Sequence, residues 1–163
     1  MSDPSEILKR RVQAILDGQQ DARGLHFFCQ VGGTYHDYGM LTFQLSGMGK
    51  VLLGWRRDDD KELYSVQLHP RDAMRFYQML RDLPFWEANP ARRTRRHNDE
   101  MNIHLRLSDL MKGTWGGVQF WVEDMQDFPM LRDLMYRINK LAMALSDGDI
   151  PTPDLGFDLM EDQ

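Results

Sequence analysis

A single cysteine, Cys29, occurs in this chain of 163 residues. That count excludes an internal disulfide framework and leaves the core to apolar packing. No apolar run approaches the roughly 18 residues that a transmembrane helix requires. Met1 to Arg11 holds no apolar stretch of signal-peptide length, so the expectation is a reducing cytoplasm with no membrane association. The phosphate-cradling pattern GxxxxGK[ST] is missing, as are GxGxxG, HExxH, paired CxxC and GxSxG. No acid, base and nucleophile converge in sequence, which points to a non-enzymatic protein that carries no cofactor.

What is present is an ordinary globular composition, 42% hydrophobic and 28% charged, at a length that suits one domain. The net charge of −5 comes from 25 acids against 20 bases. It is concentrated at one end. Asp147, Asp149, Asp154, Asp158, Glu161 and Asp162 follow one another with no Lys or Arg between them, and the remainder is close to neutral. We therefore divide the chain into a domain over residues 1–146 and an acidic C-terminal tail over 147–163. The acidic balance argues against non-specific binding of nucleic acid, which needs positive potential. Within the tail, Leu155, Phe157 and Leu159 are candidate anchors that could dock in a groove of this protein or of a partner.

Periodicity sets the fold class. Asp3, Pro4 and Glu6 read as a helix start, and Ile7, Leu8, Val12, Ile15 and Leu16 form one helical face. Four segments then alternate with a period of two: Leu25 to Val31, Met40 to Leu45, Lys50 to Arg56 and Glu62 to Leu68. The breaks GGTYHDYG, SGMG and RDDDK carry turn chemistry, and their shortness favours antiparallel hairpins. Ala73, Phe76, Tyr77, Leu80 and Leu83 mark a second helix closed by Pro84. Two more strands follow, Met101 to Leu107 and Thr114 to Val122. Gly116 and Gly117 in the latter suggest a bulge or a close backbone approach. After Pro129, Leu131, Leu134, Met135, Ile138, Leu141, Ala142 and Leu145 recur at three and four up to Asp147 and Gly148. The pattern predicts an α+β domain of order α-β-β-β-β-α-β-β-α, with a mainly antiparallel sheet of about six strands and the helices packed on one face.

Few residues read as chemistry. His26, His36, His69, His97 and His104 do not have metal-ligand spacing, so no metal site is expected. Cys29 alternates with Phe27 and Val31 and reads as a core residue. Asp58, Asp59 and Asp60 read as a solvated hairpin tip. Arg92, Arg93, Arg95 and Arg96 form the one strong basic cluster, which guanidinium chemistry makes a candidate anion site. The cluster lacks interleaved aromatics for base stacking. An attraction between this loop and the acidic tail is a further expectation. Trp115 and Trp121 share one side of their strand, opposite Val118 and Phe120. If the latter pair faces the helices, the tryptophans face away and mark a contact surface.

The element order is similar to that of small acidic bacterial secretion chaperones, α+β dimers that hold partner segments. The stretch LHPRDAMRFYQMLRDLPFW, followed by two strands and DFPMLRDLMYRI, also resembles the layout of small bacterial protease inhibitors. These are resemblances of layout, and they transfer no functional residue. What they imply is a binding protein of a bacterial-type cytoplasm. The expectation is therefore a non-catalytic interaction module, adaptor-, chaperone- or inhibitor-like, able to form a homodimer. It would bind a protein partner through Trp115, Trp121, the arginine loop and the tail anchors. The alternative is an anion or nucleic-acid binder built on Arg92, Arg93, Arg95 and Arg96.

Overall fold

The sequence pattern resolves into three helices and one six-stranded sheet in a computed structural model that describes residues 3–33 and 36–156. Helix α1 spans Pro4–Leu16 and strands β1 to β4 span Leu25–Gly32, Met40–Ser46, Lys50–Arg57 and Asp60–Gln67. Helix α2 spans Pro70–Asp82, β5 spans Asn102–Asp109, β6 spans Thr114–Trp121 and α3 spans Pro129–Leu145. The sheet order is β4-β3-β2-β1-β5-β6, every pairing is antiparallel, and the helices lie on one side. This is the expected α+β architecture in the expected order. Among the described residues no helix is long and apolar enough to cross a membrane.

Local chemistry explains the element ends. Asp3 accepts a hydrogen bond from the Ser5 amide at 3.0 Å and Pro4 follows at the first helical position. His69 starts α2 in the same way, its Nδ1 accepting from the Arg71 amide at 3.1 Å. Asp147 and Gly148 take positive φ after α3, which ends the helix as its sequence predicted. The hairpin between β3 and β4 is tighter than RDDDK suggested. Asp58 takes the left-handed conformation and Asp60 already pairs with Arg57 in the ladder. At the other end of the sheet β6 stops one residue early, because Val122 opens a 3₁₀ turn that runs to Gln126.

The core lies between the sheet and the helices. Phe27, Cys29, Phe43, Leu53, Leu105 and Phe120 are all buried on that face. Phe76 of α2 packs against Phe27 and Phe43 with ring centroids 5.1 and 5.7 Å apart, and Phe85 adds an edge contact to Phe27 at 5.7 Å. Fully burying one such side chain stabilises the fold by about 1.5–3 kcal/mol. Helix α1 packs against β6 and α2. Gly116 is what lets it approach β6, since a Cβ there would lie 2.8 Å from Leu8 Cδ1 and 3.0 Å from Trp86 Cβ. The paired glycines therefore mark a close approach. The β5–β6 register runs through them without a bulge. Arg11 of α1 is buried, donates to Asp109 Oδ2 at 3.0 Å, and ties down the carbonyls of Asp21 and Arg23 at 2.7 Å each.

Candidate functional site

The alternation that buries one face of the sheet puts the other residues of every strand on the opposite face. Ladder partners share a face, so Trp115, Ser108, His26 and Ser46 line up across β6, β5, β1 and β2. Trp121 lies three repeats of the pleat further on, opposite Asn102. Among the described residues no helix covers this face. Trp115 is 54% exposed, and Leu52 and Leu63 are exposed as well. The two tryptophans thus share the helix-free face, but they are held differently. The Arg106 guanidinium lies over the Trp115 ring at 4.4 Å, while its Nε donates to Ser108 Oγ at 3.2 Å. That stacking fixes the indole without burying it. Trp121 is half-buried, and its Nε1 donates to the Arg93 carbonyl at 3.0 Å. It is as much a wall of the arginine loop as a surface residue.

The centre of the face is polar and half-buried. His26 Nε2 lies 3.1 Å from Gln44 Oε1, and Phe28 makes an edge contact with His104 at 5.8 Å. Burial, with the neighbouring Arg106 charge, pushes the His104 pKa down, so the ring is held neutral.

The arginine loop is not an open anion clamp. Arg93 donates to both carboxylate oxygens of Glu100, at 2.9 and 2.7 Å, and to Asp124 Oδ1 at 3.0 Å. Arg96 pairs with Glu123 at 3.1 Å, and His97 Nε2 lies 2.8 Å from the other Glu123 oxygen. Two of the four guanidiniums are therefore neutralised within the chain. Arg92 and Arg95 are exposed. Glu100 is buried, and the Arg93 hydrogen bonds, against the opposing effect of burial and with help from the Arg96 and Glu123 amides, pull its pKa down to about 2. Sequence reading missed Glu123 and Asp124, which lie 27 and 31 residues from Arg96 and Arg93, so no local spacing connects them to the loop.

The tail folds back on the domain over its described part. Ile150 and Leu155 are buried with the core, and Tyr38 donates to the Pro151 carbonyl at 2.6 Å. Leu155 is therefore an anchor onto this chain's own body. Phe157 and Leu159 lie outside the described residues. Among the described residues no ion pair joins the arginine loop to Asp147, Asp149 or Asp154. Leu155 instead borders a cleft of about 700 Å³ with His36, His97, Glu123, Met125 and Arg132. His36 is held there by two contacts, Nδ1 accepting from the Tyr38 amide at 3.0 Å and Nε2 lying 2.9 Å from the Asp99 carbonyl oxygen. Cys29 is fully buried, and burial pushes its thiol up to about 12. Among the described residues no group of three or more His, Cys, Asp and Glu side chains is placed to hold a metal ion. No protein-family model matches the chain, and no curated protein matches it in sequence.

Proposed function

We propose that this chain is a non-catalytic protein-interaction module whose partner docks on the open face of the sheet. One observation carries the reading: a tryptophan, Trp115, stands 54% exposed and braced by Arg106 on a sheet face that no described helix covers. An indole left in water is costly for a chain that acts alone and is a frequent anchor in interfaces. The arginine loop supports the anion-binding alternative less well, because Arg93 and Arg96 already spend their donors on Glu100, Asp124 and Glu123. The setting that fits is a reducing, bacterial-type cytoplasm, and the buried thiol of Cys29 suits it.

The test is site-specific photo-crosslinking in the native host extract. A crosslinker placed at Gln44 or Gln119, on the open face, should trap one polypeptide in stoichiometric amount. The same crosslinker at the exposed Gln78 of α2, on the helix side, should trap none. Equal adducts from both sides, or none from the open face, would overturn the proposal.

A further inference from the structure

The open face differs from the rest of this acidic molecule in its charge. The strands contain three acids, Asp60, Glu62 and Asp109, and the registers place all three on the helix side, opposite Arg57, Trp55 and Leu25. Of the five strand cations, Lys50, Arg56, Lys61 and Arg106 sit on the open side, and Arg57 alone sits on the other. Lys50, Arg56 and Lys61 are exposed, and none of them enters an ion pair among the described residues. A chain of net charge −5 thus presents one face with cations and no strand carboxylate.

The same half of that face holds a dent. Gly54 of β3 has no side chain to fill the space between Thr42 of β2 and Leu63 of β4, and a hollow of about 200 Å³ opens there. Met40 and Leu63 give it apolar walls, and Arg56 and Lys61, direct ladder partners, stand at its rim. Glu62 borders it too, but its side chain alternates to the other face. Leu63 is 67% exposed beside this hollow.

We infer that the partner on this face is an acidic polypeptide segment, one apolar side chain of which seats over Gly54 against Leu63 and Met40, with flanking carboxylates meeting Arg56, Lys61 and Lys50. This rests on the docking face proposed above and adds the chemistry of what docks. Carboxylates would find there cations that no internal acid has neutralised, and the hollow supplies the apolar contact that gives such a segment register. Single-stranded nucleic acid fits less well. One side of the Trp115 ring is taken by Arg106 and Phe28 is half-buried against His104, so among the described residues the face offers no run of open rings on which successive bases could stack.

The experiment titrates the full chain with synthetic peptides and follows fluorescence anisotropy. One peptide alternates Leu with Asp and Glu, a second replaces the acids by Lys, and a third replaces Leu by Ser. A thymidine oligonucleotide is the fourth probe. The acidic Leu peptide should bind best, and more tightly as salt falls. The exposed pair Arg56→Glu and Lys61→Glu together should weaken it about ten-fold or more. Leu63→Asn should erase the preference for Leu over Ser, and the control Lys112→Glu, on the β5–β6 turn, should change little. Equal binding of the Lys peptide, indifference to the Arg56→Glu/Lys61→Glu change, or tighter binding of the oligonucleotide would each overturn the inference. Crosslinks from Gln44 and Gln119 in the face of those results would leave the docking face standing and remove only the acidic partner.

Discussion

Arg93 and Glu100 show how one pair of side chains settles the character of a whole loop. Glu100 accepts from Arg93 through both oxygens and also from the Arg96 and Glu123 amides. Its pKa of about 2 lies below the ordinary 4.5, so its contribution to stability is complete above the unfolded value and is lost as pH falls from 4.5 toward 2. We expect the wild-type chain to lose stability over that interval in urea unfolding, and Glu100→Gln, less stable at pH 7, to show a smaller loss. Arg93→Ala leaves the buried carboxylate unpaired and should cost about 3 kcal/mol in the same assay. Cys29 makes a second residue-scale prediction. With its thiol buried and raised to about 12, it should resist a thiol-specific reagent at pH 8 in the native chain and react at once in denaturant.

At the scale of the element, Gly116 is the position where sequence and structure meet most closely. The missing Cβ admits Leu8 and Trp86, so Gly116→Val should lower stability by about 1–3 kcal/mol and show it as an earlier thermal midpoint. The strands and helices were legible because each buries one side, and a period of two or of three to four survives in the residue order. The same periodicity placed Trp115 and Trp121 on the face away from Val118 and Phe120. It could not rank them, since what separates an exposed indole from a half-buried one is Arg106 over the first and the Arg93 carbonyl beside the second. The carboxylates that pair with Arg93 and Arg96 were hidden for a related reason. The Arg93 partner Asp124 stands 31 residues away, beyond the reach of any local pattern. The dent over Gly54 was invisible to sequence because it needs three strands side by side, with Thr42, Gly54 and Leu63 drawn from each.

For the molecule as a whole, the C-terminal strap matters more than its acidity suggests. The Ile150 amide donates to Ser146 Oγ at 3.3 Å, Tyr64 donates to Asp149 Oδ2 at 3.0 Å, and Leu155 is buried with the core at the cleft that Met125 also lines. Leu155→Ala should therefore cost about 2–4 kcal/mol in chemical unfolding, although the residue lies outside every helix and strand. The strand order has a consequence for synthesis. The ribosome releases β1 to β4 and α2 before β5, yet β5 is the strand that lies against the outer side of β1. Until Asn102–Asp109 emerges, the nascent four-stranded meander carries Phe27, Cys29 and Val31 along a bare border. Slowing translation between Asp82 and Asn102 should therefore lower the yield of folded chain through aggregation, and an early supply of β5 should restore it.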